Sequence, residues 1–326
     1  MKERINWIDW AKAIGITLVV LGHFKYTGDD AVYRYFIYSF HMPLFFFLSG
    51  FLYKKPQDLE ASVKKDFRGL IIPYILLNII AYILLIPYYI HHGVGLLKPI
   101  GDIVTISGHA PAGACWFLVS LFIIKFVMYF VFQKPVKTQI IFILLVSFFT
   151  YCISLFVPEI NTFRVGTTCM AFLFFFIGFY TKKIDILSLL KSKYLAFFIF
   201  AILFVLLIFT SRYNGRVDMY ACDYGKNPLL FHINAIIGIA MTLALCISLN
   251  QIGLKFIKTI ASGTILIMAL HLNKPFILYK IIELFGINIH PTIVTNIVAS
   301  IVIIMLFYYP ILFVQKYMPV LIGNRK

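Results

Sequence analysis

Ile5-Asn6-Trp7-Ile8-Asp9-Trp10-Ala11-Lys12, followed by Ala13 to Leu21, Gly22 and His23, is the stretch whose reading decides the fold. It is an apolar run of near-bilayer length with two charges close to one end and an imidazole at the other. Crossing a hydrocarbon core of ~30 Å takes about 20 such residues as a helix. Ionisable side chains inside such a helix are expensive and point to function. Eleven residues turn an ideal helix through about 1100°, within ~20° of three full turns. Lys12 and His23 therefore share one face, about 16–17 Å apart along the axis. Asp9, three residues before Lys12, can pair with it on that face. The pair suits an anchor for an anionic ligand group, and a lysine reaching for the nearby interface is the competing reading.

Working outward, the chain of 326 residues is 61% hydrophobic and only 13% charged. A soluble domain is about a quarter charged, so this composition predicts an all-α, polytopic transmembrane helical bundle. The net charge of +16 fits topogenic lysines and contact with anionic membrane lipid, not nucleic acid, because no basic stripe is present. Five cysteines (Cys115, Cys152, Cys169, Cys222, Cys246) form no CxxC pair, so neither a disulfide framework nor a metal site is expected. Phosphate-loop, dinucleotide, zincin and nucleophile-elbow motifs are absent.

Ten spans are expected, at roughly 6–24, 34–53, 69–91, 113–133, 138–157, 163–180, 194–211, 228–250, 259–281 and 292–315, all in one domain over 1–326. No cleavable signal peptide and no internal repeat are expected. The tails and loops on one side, including Lys54, Lys55, Lys64, Lys65, Arg68, Lys182 and Lys183, hold eighteen of the 29 lysines and arginines. The other side holds nine, among them Lys25, Arg164, Arg212, Lys274 and Lys280, and Lys12 and Lys125 fall within spans. The bias predicts both termini in the cytoplasm, Lys12 toward the inner face and His23 toward the outer one.

A second constellation, Ser39-Phe40-His41-Met42-Pro43 through Ser49-Gly50-Phe51, places His41 before a proline that removes one helical hydrogen bond and is expected to kink span two. A short loop joins the first two spans, so His23 and His41 can face one cavity. An imidazole near neutral pH can take a proton from a hydroxyl, as acyl transfer to an alcohol requires. Both histidines are equally able to serve only as hydrogen-bonding groups between helices. Lys64, Lys65 and Arg68 form a basic cluster at the entry to span three that suits a phosphate-bearing ligand, or the topology signal alone. Trp116 opens span four. The outer segment 211–228 gathers Arg212, Tyr213, Asn214, Arg216, Asp218, Tyr220, Asp223, Tyr224 and Asn227, a set that can equally grip a sugar or form a solvated loop, and Arg212, Arg216 and Asp223 are its expected sugar contacts. His271, followed by Asn273, is a third polar site within a span.

Taken together, Asp9-Trp10-Ala11-Lys12 leading to Gly22-His23, and Phe40-His41-Met42-Pro43 leading to Leu48-Ser49-Gly50, resemble the integral-membrane acyltransferase family three. Within it, the chain is similar to the fucose O-acetylase-like branch of sugar acetyltransferases. Arg68 with Pro73-Tyr74, Trp116-Phe117-Leu118, and Gly263-Thr264 leading to His271 extend the likeness over about residues 4–315. The resemblance implies ten core helices, acetyl-CoA or another acyl-CoA as cytoplasmic donor, no metal, and a hydroxyl of an extracytoplasmic or lipid-linked glycan as acceptor. It maps the family's arginine–histidine motif onto Lys12 and His23, and the basic pair onto Lys65 and Arg68. Lysine thus stands twice where arginine is usual, which keeps the charge and loses the planar fork.

The expected activity is an O-acyltransferase of a bacterial plasma membrane that modifies cell-envelope polysaccharide. His23 and His41 are the expected catalytic residues. Lys12, Lys64, Lys65 and Arg68 are expected at the donor, and Asp9, Trp116, Arg212, Arg216, Asp223 and His271 at the acceptor. Direct transfer and a histidine acyl-enzyme both satisfy these residues. A transporter or flippase for a small anion or lipid-linked sugar, and a membrane scaffold with packing histidines, are the alternatives.

Overall fold

The computed structural model describes residues 5–24, 31–156, 162–190, 192–271 and 292–323. Among them, every regular element is helical apart from one isolated antiparallel bridge between Asp218 and Asp223. In chain order the α-helices are α1 (Asn6–Gly22), α2 (Ala31–Tyr38), α3 (His41–Leu52), α4 (Leu59–Asp66), α5 (Ile72–His91), α6 (Leu97–Val104), α7 (Trp116–Val131), α8 (Val136–Phe156), α9 (Val165–Thr181), α10 (Ile186–Leu189), α11 (Lys193–Asn214), α12 (Pro228–Ser248), α13 (Lys255–Ser262), α14 (Thr264–Leu270), α15 (Ile293–Leu306) and α16 (Tyr308–Tyr317).

The protein is an all-α polytopic membrane protein. Six described segments are long and apolar enough to cross a membrane: Val32–Leu52, Leu59–His91, Gly113–Val131, Lys193–Asn214, Pro228–Ser248 and Ile293–Tyr317. The other four expected crossings differ. The 6–24 span is the 17-residue α1, and 138–157 and 163–180 fall on the shorter apolar stretches Val136–Cys152 and Val165–Thr181. The 259–281 span breaks at Gly263 between α13 and α14, and its second half, with Asn273, Lys274 and Lys280, lies outside the described residues, as does Lys25. The described residues thus hold six candidate crossings where the sequence predicts ten.

The short α1 is the hub. It packs on α2, α3, α12, α13, α14 and α15, and Ala11, Ile16 and Val20 are fully enclosed. Its start is tied to the turn after α12. The Asn6 side-chain amide donates to the Asn250 carbonyl (3.0 Å), the Asn250 side chain accepts the Trp7 N–H (3.0 Å), and the Trp10 indole donates to Ile252 O (2.9 Å). The Trp7 N–H is one of the donors that a helix start otherwise leaves orphaned.

Helices α3 and α9 approach most closely through reciprocal glycines. A Cβ on Gly50 would strike the Phe175 carbonyl, and one on Gly178 would strike the Phe47 carbonyl. Small residues at such crossings let two backbones touch where lipid offers no hydrophobic drive for association.

Span two is not a kinked continuous helix. It ends at Tyr38 and restarts at His41, with Phe40 between them at φ −145°. Pro43 lacks the N–H that would have bonded the Ser39 carbonyl. The break sets His41 at the first turn of α3, where its ring reaches back to Ile37 O.

A comparable lesion precedes α5. Phe67–Ile71 form a π-turn, closed by the Ile72 N–H on Phe67 O. Pro73 supplies no N–H for Gly69 O, which accounts for the widened turn. Beside it lies the partner of the lysine within span four: Lys125 forms a salt bridge with Asp66, which is 5% exposed. Removing either partner would leave the other charge without this counter-ion in a largely buried setting.

Two stability outcomes follow, each read as thermal unfolding of purified protein in detergent. Gly50→Ala is expected to lose about 1–3 kcal/mol by overpacking, because the obstacle is backbone. Lys125→Met alone is expected to lose about 3 kcal/mol, and adding Asp66→Leu to recover part of it. Equal melting of wild type and Lys125→Met would contradict the pairing.

Candidate functional site

Where α1, α3 and α14 end or begin, three histidines stand at helix termini. His23 is the C-cap of α1, His41 opens α3, and His271 is the C-cap of α14. His23 and His41, with Val19, Tyr38 and Met42, form one side of a cavity of about 270 Å³. The opposing side comes from two non-helical segments, Gly108 to Ala114 and Asp218 to Tyr220, together with Trp116 and Met268.

The backbone decides the proton positions. His23 Nδ1 lies 2.8 Å from Val19 O, His41 Nδ1 2.9 Å from Ile37 O, and His271 Nδ1 3.0 Å from both Ile267 O and Met268 O. A carbonyl oxygen only accepts, so in each ring Nδ1 carries the proton and donates. His271 Nε2 is 3.2 Å from His23 Nδ1, with the two rings 4.7 Å apart at 77°. The His23 Nδ1–H is therefore shared between Val19 O and a neutral His271 Nε2. In neutral His23 this leaves Nε2 as the unprotonated nitrogen, on a residue that lines the cavity. His271 is completely buried behind it and is not among the lining residues.

The residues singled out from sequence separate into three groups. His23, His41 and Trp116 share the cavity, and His271 supports it from behind. Of the outer-segment residues, Arg216 is exposed and reaches the site only through Asp218, 3.6 Å from its carboxylate. Arg212 and Asp223 are exposed and do not line the cavity, and Asp223 instead accepts the Gly225 N–H at 2.9 Å. The remaining group stands apart from this cavity. Asp9 is buried and Lys12 half-buried, while Lys64, Lys65 and Arg68 are exposed around the π-turn, with Lys64 also paired to Glu60 one turn back. None of these five lines the histidine cavity.

Tyr38 and His109 line the cavity without having been marked for the site, and Asp218 and Tyr220 line it from the outer-segment set, although Arg212, Arg216 and Asp223 are the members expected there. Tyr38 was findable: it precedes His41 by three residues, and its hydroxyl donates to Gly22 O beside His23 (3.2 Å). Asp218 and Tyr220 lie in the segment already marked for sugar contact, but no periodicity tells which members of a loop face inward.

Cys222, next to this wall, is a poor nucleophile on chemical grounds. Burial pushes its thiol up to about 11, so it stays protonated near neutral pH, and a thiol attacks poorly compared with a thiolate. Among the described residues no cluster of three histidine, cysteine or carboxylate side chains is arranged to hold a metal ion.

A family model described as an acyltransferase domain, family three, matches residues 5–314, nearly the whole chain. The chain belongs to this membrane acyltransferase family. No curated protein and no solved structure matches it. The match runs through both histidine constellations and the basic entry to α5, and the family uses acyl-CoA co-substrates.

The tautomer assignment is open to direct measurement. Nitrogen NMR of isotope-labelled histidine, with His23 assigned by its loss in His23→Gln, is expected to show a protonated Nδ1 and a bare Nε2 at neutral pH. A protonated Nε2 beside a bare Nδ1 would contradict the hydrogen-bond chain.

Proposed function

We propose that this acyltransferase moves an acetyl or other short acyl group from acyl-CoA to a hydroxyl of a glycan or lipid-linked sugar, with His23 Nε2 as general base. The observation that carries the reading is the fixed tautomer: the His23 proton is committed to Val19 O and His271, and the basic nitrogen belongs to a residue of the cavity wall.

The lysine and arginine bias supports a cytoplasmic position for the Lys12 end, an outward-facing His23 cavity, and cytoplasmic termini in a bacterial plasma membrane. On this reading the CoA phosphates are held by Lys64, Lys65 and Arg68. The pantetheine arm extends past Lys12, neutralised in part by Asp9, toward His23. The separation of about 16–17 Å between Lys12 and His23 on one helix suits an extended arm of that kind.

The acceptor hydroxyl gives its proton to His23 Nε2 as its oxygen attacks the thioester carbonyl. A C–O bond forms, the C–S bond breaks, and the imidazolium returns the proton to the departing CoA thiolate. His271 Nε2 accepts the shared Nδ1–H throughout, so it holds the ring and stabilises its positive charge while the proton is carried. This makes His271 a positioning residue instead of a substrate ligand. His41, also with its bare nitrogen at Nε2, helps place the acceptor. The products are O-acylated envelope polysaccharide, or its lipid-linked precursor, and free CoA. The fucose O-acetylase-like sequence motifs favour acetyl and a sugar.

The test is transfer of label from radioactive acetyl-CoA to candidate glycans by purified protein in detergent. His23→Ala is expected to lower the rate about 10²–10⁴-fold. His271→Asn, which keeps an acceptor, is expected to retain more activity than His271→Leu at equal folded protein. Label transfer unaffected by His23→Ala removes the assignment, and wild-type protein that releases no CoA favours a transporter.

A further inference from the structure

Among the described residues, all non-glycine positions with left-handed backbone lie at the histidine end of the bundle: Ile106 (φ 57°), Phe163 (54°), Arg164 (59°) and Cys222 (57°). For a β-branched or bulky side chain this is a genuine outlier. Such strain persists only where the surroundings over-determine it, and it collects at functional sites.

One side chain joins the strained segments. Arg164 donates from Nε to Ile106 O (2.9 Å) and from Nη1 to Tyr220 O (3.2 Å). Its guanidinium carbon lies 3.9 Å from the centre of the Tyr220 ring. Thr167 donates to the same Tyr220 carbonyl at 3.0 Å, and the Tyr220 hydroxyl accepts the Gly108 N–H. Three segments remote in sequence are thereby clasped around Tyr220, which lines the cavity and has Trp116 6.1 Å away, centre to centre, at 58°.

Asp218 is fixed by the same arrangement. One carboxylate oxygen accepts the Tyr220 N–H (3.1 Å), and its backbone is paired both ways with Asp223. An ionised carboxylate has about four acceptor positions, and the Tyr220 N–H on one oxygen and Arg216, 3.6 Å from the other, leave hydrogen-bonding capacity for a ligand. Aromatic faces beside a carboxylate that can only accept are the chemistry that recognises a hydroxylated ring: C–H faces lie on the rings and O–H groups donate to the oxygens. The cavity of about 270 Å³ has room for one such ring.

We propose that Trp116, Asp218 and Tyr220 form an acceptor subsite for a single sugar ring, and that Arg164 is the positioning residue that holds its wall. This rests on the acyl-transfer reading above and adds to it the residues that select the acceptor ring. Lysine cannot replace Arg164, because it keeps the charge but loses both the fork and the stacking on Tyr220.

The experiment measures steady-state transfer from acetyl-CoA to methyl glycosides of glucose, galactose, fucose and N-acetylglucosamine. Arg164→Lys is expected to raise the KM for the preferred glycoside at least tenfold without moving the KM for acetyl-CoA. Asp218→Asn, which preserves the oxygen bonded to the Tyr220 N–H, is expected to raise the glycoside KM in the same way and keeps the test alive if Arg164→Lys does not fold. An unchanged glycoside KM in Asp218→Asn, or the two KM values rising together in both variants, overturns the subsite. If wild-type protein releases no CoA with any glycoside, the acyl-transfer reading fails. Calorimetric titration with the same glycosides then judges the subsite by itself: binding weakened by Asp218→Asn supports it, and no binding to wild type overturns it.

Discussion

The carbonyl of Val19 constrains everything at the histidine end. It has no proton to give, so the ring nitrogen 2.8 Å away must supply one, and the other nitrogen of His23 is left with its lone pair. The ring folds back along its own turn to the carbonyl four residues earlier. His41 and His271 repeat the device at two other helix ends. Three buried or half-buried imidazoles thus have their protons assigned by backbone geometry before any substrate is considered. The shared His23 proton couples two of them into one unit.

That constraint requires α1 to stop where it does and to be held there. Both requirements are met by packing. The helix is enclosed by six others, and its opposite end is tied to Asn250 and Ile252. The reciprocal contact of Gly50 and Gly178 brings α3 against α9, and Trp116, at the start of α7, completes the wall facing the histidines. Rigid support of this kind is what a reactive group needs if it is to meet a substrate at bonding distance.

The two ends of the bundle are built in different ways. The end with Lys64, Lys65 and Arg68 has exposed cations around a π-turn, over a buried Asp66–Lys125 pair. The histidine end has strained non-helical segments bound together by one arginine. Exposed cations meet a charged, solvated ligand group by field and reach, whereas a shaped wall discriminates by contact. The proposed function divides donor and acceptor between these two ends.

Much of this is legible in the residues themselves. The apolar runs determine an all-α membrane protein, because backbone polar groups in lipid must be satisfied within the segment. His23, His41, His271 and Trp116 stand out because polar or amphipathic groups beside long apolar stretches are costly unless used. Helix period alone places Lys12 and His23 on one face. Tertiary structure decided the rest. It divided span two at Ser39–Phe40 and span nine at Gly263, breaks that depend on how neighbouring helices pack. It placed His271 against His23, 248 residues away in sequence, as a hydrogen-bond partner. It brought in Asp218 and Tyr220 while leaving Arg212 and Asp223 outside the cavity. Loop residues carry no periodicity from which an inward face can be read, and a contact between distant segments exists only once the helices between them have packed.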